Sequence, residues 1–128
     1  MSRENVEVVR AFTDAYLGGD FDEALSHLAP KVVYEVGQEL PARTPAEVRA
    51  MWERWESDWE ELETVPEEYI DAGEQVFVAM RYSGRGRGSG VRVEDRQFEV
   101  HTIRDGKIVR KVDYGKRTDA LEAAGLSE

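Results

Sequence analysis

The period of the apolar positions changes along the chain, from helical spacing before residue 62 to long β-rich runs after residue 66. Val6, Val9, Phe12 and Tyr16 recur at spacings of three and four, forming one stripe of a helix that Ser2 caps and Gly18-Gly19 ends. Asp20, with Glu23 three residues on, makes a capping box for a short helix whose buried stripe is Phe21, Ala24, Leu25 and Leu28, and Ala29-Pro30 stops it. Val32 to Val36 reads as a strand closed by Gly37, and Gln38 to Arg43 as a loop. Thr44-Pro45-Ala46-Glu47 is the strongest helix start in the chain. From it Val48, Met51, Trp52, Trp55, Trp59 and Leu62 keep a period near 3.6, so the spacing predicts four turns with all three tryptophans on one face. Only the sheet that follows is long enough to cover them.

Glu67 to Ile70 reads as an edge strand turning at Asp71-Ala72-Gly73. Three long runs follow, Val76–Tyr82, Arg96–Ile103 and Ile108–Tyr114, the first two joined across the glycine-rich segment Gly84–Gly90 and the last two across Asp105-Gly106. Asp-Gly supplies the two positive-φ positions of a tight hairpin turn. With a two-residue turn the register sets Ile103 opposite Ile108, His101 opposite Arg110, Val100 opposite Lys111 and Phe98 opposite Asp113. Phe98, Val100, Thr102, Val109, Lys111 and Asp113 then share one face, and His101 falls on the other, on the surface or in a dimer interface. Thr118-Asp119 is placed to cap a last short helix that contains Leu121 and Ala124 and that Gly125 closes.

Composition narrows the chemistry. A chain of 128 residues fits one domain with a real core. It lacks cysteine, which removes disulfides, thiolate nucleophiles and sulfur-ligated zinc, and its two histidines, His27 and His101, do not make a histidine-rich metal site. A formal charge of −10 repels nucleic-acid phosphates and anionic membranes alike. No run approaches the roughly 20 apolar residues of a membrane span, and a cytoplasmic location is expected. Ten acids lie between Glu53 and Glu74 and eleven bases between Arg81 and Arg117. These segments either pair, within a subunit or across a dimer, or remain solvated. No phosphate loop, nucleophile elbow or metal-ligand spacing occurs, and no cofactor is expected.

The order helix, short helix, strand, long helix and antiparallel strands resembles the SnoaL-like branch of the nuclear transport factor 2-like superfamily. Val9-Arg10-Ala11-Phe12 through Gly19-Asp20-Phe21, the aromatic strand after Pro30, the Thr44-Pro45 helix start and Arg104–Val109 leading to Asp113-Tyr114 carry the resemblance across nearly the whole chain. It implies an α+β fold, a cone-shaped barrel of curved mixed or antiparallel sheet with three helices on its concave face. It also implies a mostly apolar pocket and a homodimer through the outer sheet face. Relatives include polyketide cyclases, ketosteroid isomerases, epoxide hydrolases and dehydratases, and the fold does not choose among them.

The resemblance implies that Asp113 on the last long strand is an acidic general base. Among apolar groups its pKa would rise, whereas Lys111 two residues away would lower it, so a structural pair with Lys111 or an arginine is the competing role. Arg81, after five apolar residues, either orients an anionic or carbonyl ligand or pairs with Asp113 or a neighbouring acid. Tyr34 is the other candidate for stabilising developing negative charge. Tyr16, Trp52, Trp55, Trp59, Met80, Phe98, Val100 and Lys111 are the candidate pocket lining, although helical spacing suits an ordinary core equally well for the tryptophans. The expected function is metal-independent acid–base chemistry of cyclase, isomerase or hydratase type on a small apolar carbonyl or polycyclic compound. A non-catalytic small-molecule binder and a dimerising module with a filled cavity are the alternatives.

Overall fold

The computed structural model describes residues 2–126, the side chain of Ser2 excepted, so the capping role expected of Ser2 lies outside the described side chains. The elements run α1 (Ser2–Leu17), α2 (Phe21–Ser26), β1 (Leu28–Glu35), α3 (Pro45–Ser57), β2 (Trp59–Ala72), β3 (Gln75–Gly86), β4 (Arg92–Arg104), β5 (Lys107–Tyr114) and α4 (Arg117–Ala123). The five strands form one open mixed sheet in the order β1-β5-β4-β3-β2, with β1 parallel to β5 and every other pair antiparallel. Two apolar layers lie on its faces. On the inner face α1, α2 and α3 pack Val9, Phe12, Ala24, Val48, Met51 and Trp52 against Val76, Val78 and Met80. On the outer face Ala120, Leu121 and Ala124 of α4 cover Phe77, Ala79, Phe98 and Val100.

The helix starts follow the capping chemistry. Asp20 accepts a hydrogen bond from the Glu23 amide at 3.1 Å, and Thr44 accepts one from the Glu47 amide at 3.2 Å with Pro45 in the first turn. Other boundaries move. The Asp20 helix stops at Ser26, because Leu28 and Pro30 already belong to β1, where Pro30 costs no interior ladder bond on an edge strand. Helix α3 ends at Ser57 rather than running on to Leu62, so Trp59 and Leu62 belong to β2 and not to the helix face. A tryptophan placed seven residues after Trp52 suits either element, and the ring of Trp59 still reaches Trp55 at 5.2 Å. Lys116 rather than Thr118 stands at the start of α4. Among the described residues no helix is long and apolar enough to cross a membrane.

Bulges bend the sheet and set what each strand presents. Between Glu60 and Glu63 two residues of β2, Glu61 and Leu62, stand opposite Gly84 alone, and Glu61 takes a φ of 55°. Gly84 suits this position because a Cβ there would lie 3.0 Å from the Trp59 ring and 3.3 Å from the Leu62 Cα. Gly84→Ala is therefore expected to destabilise the protein by about 1–3 kcal/mol, as overpacking does; urea denaturation measures it, and an unchanged midpoint would show that Trp59 moves aside freely. Glu67 is extra in the second bulge, next to Pro66, and contacts Arg81 and Arg96.

The acidic and basic segments do pair within the chain, because the strand order lays β2 beside β3 and near β4. Arg96 meets Glu67 at 2.8 Å, Arg85 meets Glu61 at 3.4 Å and Arg117 meets Glu68 at 2.7 Å. These side chains are between about a third and two thirds exposed, so each pair contributes little stability.

The Asp105-Gly106 turn forms as expected, with φ of 50° and 75° at the two positions. Ile103 stands opposite Ile108, but the next pair is Thr102 with Arg110, so Val109 is an extra residue in β5. Beyond that bulge His101 opposes Lys111, Val100 opposes Val112, Glu99 opposes Asp113 and Phe98 opposes Tyr114. One extra residue therefore exchanges the two faces of β4 relative to β5. Phe98 and Val100 lie under α4 on the outer face, and His101, expected on the surface or in a dimer interface, has 0% exposure in the interior.

Candidate functional site

A cavity of about 110 Å³ lies between α1, α3 and the inner face of the sheet. Its apolar wall comes from Phe12 and Tyr16 of α1, Met51, Trp52 and Trp55 of α3, and Met80 and Tyr82 of β3. Trp52 is the hinge of this wall, its ring centroid 4.7 Å from Tyr16, 5.1 Å from Phe21, 5.8 Å from Phe12 and 6.1 Å from Tyr34. A single buried water needs only about 10–15 Å³ on a comparable measure, so the cavity admits a small ring. Beside it a groove of about 460 Å³ is bordered by Trp59, Leu62, Glu56 and Glu63, and Tyr16 and Thr64 line both spaces.

Polar groups converge on one side of this apolar enclosure. Alternation along β4 brings Gln97 and Glu99 to the cavity, with His101 buried behind them, and alternation along β5 brings Lys111 and Asp113. Lys111 sits in an ion pair with Asp113 Oδ1, its Nζ also 3.8 Å from Glu99 Oε2 and 4.3 Å from the centre of the Tyr34 ring. Gln97 donates its amide to Asp113 Oδ2. The Nε2 of His101 is 2.9 Å from Glu99 Oε1. Tyr34 is fixed by its backbone, paired with Ala42 on one side and with Lys111 across the parallel β1–β5 ladder on the other. Its hydroxyl oxygen accepts the indole N–H of Trp52 at 3.0 Å, so its own proton remains to donate.

The charges follow from one ammonium facing two buried carboxylates. Burial pushes the Asp113 carboxyl up to about 7; Lys111 draws it back down, while Glu99 adds to the rise. Burial also raises Glu99, but Lys111 and the His101 hydrogen bond outweigh it and hold Glu99 below the usual range. For Lys111 burial works against the charge, yet the neighbouring Asp113 and Glu99 carboxyls keep it a cation. Of the two carboxyls Glu99 is lowered and Asp113 raised, so Glu99 keeps its charge and the proton that the pair retains sits on Asp113. Burial lifts Tyr34 and Tyr16 as well, so both remain protonated hydroxyls across the neutral range.

The SnoaL-like domain profile matches residues 9–111, most of the chain. The chain belongs to the SnoaL-like family. An NTF2-like protein of Burkholderia thailandensis superposes with a TM-score of 0.82 at 24% identity, over 95% of this chain and 97% of the other. A candidate SnoaL-like polyketide cyclase of Jannaschia sp. CCS1 gives 0.81 at 20% identity, over 99% and 95%. TerC, co-crystallised with polyporic acid, gives 0.77 at 19% identity, over 95% and 98%. At these identities the likeness is one of fold. No curated protein matches this SnoaL-like chain in sequence.

The expected site residues of this SnoaL-like protein divide by strand geometry. Asp113, Tyr34, Tyr16, Trp52, Trp55, Met80 and Lys111 line the cavity, and Trp59 lines the adjoining groove. Arg81 does not reach it. Met80 and Tyr82 point inward, so Arg81 points outward, where it pairs with Glu67 at 3.3 Å and Glu94 at 3.8 Å rather than with Asp113. Phe98 and Val100 leave the cavity for the outer layer because of the Val109 bulge. Gln97, Glu99 and His101 were missed as site residues for the same reason. The signal for them is Gln97-x-Glu99-x-His101 beside Lys111-x-Asp113, polar residues at period two in strands otherwise rich in apolar ones.

Proposed function

We propose that this SnoaL-like protein is a metal-independent acid–base enzyme of the cyclase, isomerase or hydratase type, acting on a small apolar carbonyl or polycyclic compound. One observation carries the proposal: a carboxyl only 6% exposed, Asp113, borders an aromatic cavity with its proton affinity raised to near neutrality. A base of this kind is matched to proton transfer at physiological pH. In the proposed step the Asp113 carboxylate takes a proton from the carbon beside the ligand's carbonyl. Tyr34, its oxygen already held by Trp52, donates its O–H to the oxygen on which charge develops, and the protonated Asp113 returns the proton at the new position. Phe12, Tyr16, Met51 and Trp52 keep water from the reacting carbon. The groove by Trp59 gives the remainder of a polycyclic ligand a place to extend. TerC, of the same fold, has been co-crystallised with polyporic acid, which supports a small organic ligand for this cavity.

The direct contact of Lys111 with Asp113 favours a second reading, in which the pair is structural and the cavity binds a ligand without changing it. A carbon-13 NMR titration of the Asp113 carboxyl, assigned against Asp113→Asn, separates the two. The catalytic reading expects a midpoint about three pH units above the free-aspartate value of about 3.9. A midpoint at or below 3.9 would make Asp113 a stable partner of Lys111 and leave binding as the function. A cytoplasmic homodimer through the part of the outer sheet face that α4 leaves uncovered completes the proposal.

A further inference from the structure

We propose that Glu99, anchored by His101, is a positioning residue for Asp113: it competes for the Lys111 ammonium and so leaves Asp113 able to exchange a proton with the ligand. The inference rests on the reading of Asp113 as the acid–base group and adds what makes that group competent.

Strand pairing places the groups. Glu99 stands directly opposite Asp113, and His101 directly opposite Lys111, so the four side chains form a two-by-two block on the inner face. Within it the carboxylates are unequally supplied. Glu99 takes the His101 Nε2 at 2.9 Å on one oxygen and faces Lys111 at 3.8 Å on the other. Asp113 has Lys111 on one oxygen and the neutral amide of Gln97 on the other. His101 cannot turn away, because its ring is wholly buried and meets Phe12 edge-on at 5.8 Å. Among the described residues its Nδ1 finds no hydrogen-bond partner, so the bond to Glu99 is the polar contact among them that fixes the ring.

Two carboxylates that share one cation in a dry site do not both ionise readily. Glu99, held by the His101 ring, keeps the charge, and its field opposes ionisation of Asp113. The remaining titratable groups that line the cavity with Asp113 are Tyr16, Tyr34, Tyr82 and Glu39. Burial keeps the three tyrosines uncharged. Glu39 is drawn to Arg54 at 3.8 Å on α3. Glu99 is thus the nearby negative charge that keeps Lys111 from holding Asp113 as a permanent ion pair.

The test uses the 128-residue chain and carbon-13 NMR of both carboxyls. Glu99→Gln keeps a hydrogen-bond acceptor for His101 and removes only the charge. Its Asp113 midpoint is expected to fall by at least one pH unit, about tenfold in proton affinity, the size expected of a close like charge. Glu99→Asp, which restores the charge, is expected to bring the midpoint back towards wild type. A Glu99→Gln midpoint equal to wild type would overturn the inference, since a purely structural Glu99 predicts no shift.

Should Glu99→Gln fail to fold, the wild-type protein decides. Glu99 is expected to stay ionised through the pH range in which Asp113 titrates, and a Glu99 that protonates first would overturn the inference equally. A wild-type Asp113 midpoint at or below 3.9 defeats the catalytic reading and the inference together, whereas a raised wild-type midpoint that Glu99→Gln leaves unchanged defeats the inference alone.

Discussion

Asp113→Asn is expected to lower turnover on a proton-transfer substrate by about 10²–10⁴-fold, the usual contribution of general acid–base catalysis, while making the folded protein more stable at pH 8. The two effects have one cause. The Asp113 carboxyl titrates near 7 in the folded chain and near 3.9 in the unfolded one. Between these values the folded chain keeps a proton that the unfolded chain has released. Its contribution to stability is therefore fully present below about pH 4 and is lost as the pH rises through 7. Glu99, whose folded pKa is lowered, acts in the opposite sense, losing its contribution as the pH falls below its unfolded range, so of these two carboxyls it is Asp113 that gives a slope above pH 5.

At about 1.4 kcal/mol per pH unit the Asp113 effect has a ceiling of about 4 kcal/mol. Coupling to Lys111 shares part of it, and a gain on the order of 1–3 kcal/mol is expected for the asparagine at pH 8. Asparagine keeps the shape and an acceptor for Gln97 without the charge. Lys111 retains Glu99 as its counter-ion. Urea unfolding of both proteins at pH 5 and pH 8 measures the difference, which should widen with pH. A variant less stable than wild type at pH 8 would show that the Asp113–Lys111 pair holds the fold together, and the catalytic assignment would go with it.

Most of the fold was legible because capping and turn chemistry are local. Asp20, Thr44-Pro45 and Asp105-Gly106 each fix their element with residues a few positions apart. The C-terminal half of the tryptophan helix was not legible, since Trp59 and Leu62 satisfy a helical period and a strand equally well until the Gly84 bulge is known. The site was half legible. Asp113, Tyr34 and Lys111 came from the resemblance and from strand position. Glu99 and His101 required the Val109 bulge, which no residue type marks, since valine is at home in a regular strand too. Of the two roles open to Arg81, pairing with acids on neighbouring strands is the one formed, because β3 has helices on its inner face and α4 over only part of its outer one, which leaves Arg81 beside Glu67 and Glu94.

Lys111→Met is expected to destabilise the protein by about 3–5 kcal/mol at pH 8, the cost of leaving a buried charge without its partner. Methionine fills nearly the volume of the lysine stem, so the loss measures charge and not packing. Without the ammonium, Glu99 and Asp113 confront each other across the β4–β5 pair with only His101 and Gln97 as donors. Lys111 lowers both carboxyl pKa values in the wild-type protein, so its removal raises both. Groups with raised folded pKa values bind protons more tightly folded than unfolded. The penalty must therefore shrink as the pH falls and protons return, Asp113 first and Glu99 after it. At pH 5 the variant is expected to regain most of the loss. Lys111→Arg, which keeps a cation at the same place, should show a smaller loss that changes little over the same range. Denaturation curves for the three proteins at pH 5, 6.5 and 8 test this. A pH-independent loss in Lys111→Met would point to the ring of Tyr34, 4.3 Å from the ammonium, as what lysine holds in place, and the carboxylates would then be solvated and separate. A penalty that vanishes on acidification would instead show the three charges to be one titrating unit, in which the proton on Asp113 is exchangeable because the cation beside it is shared.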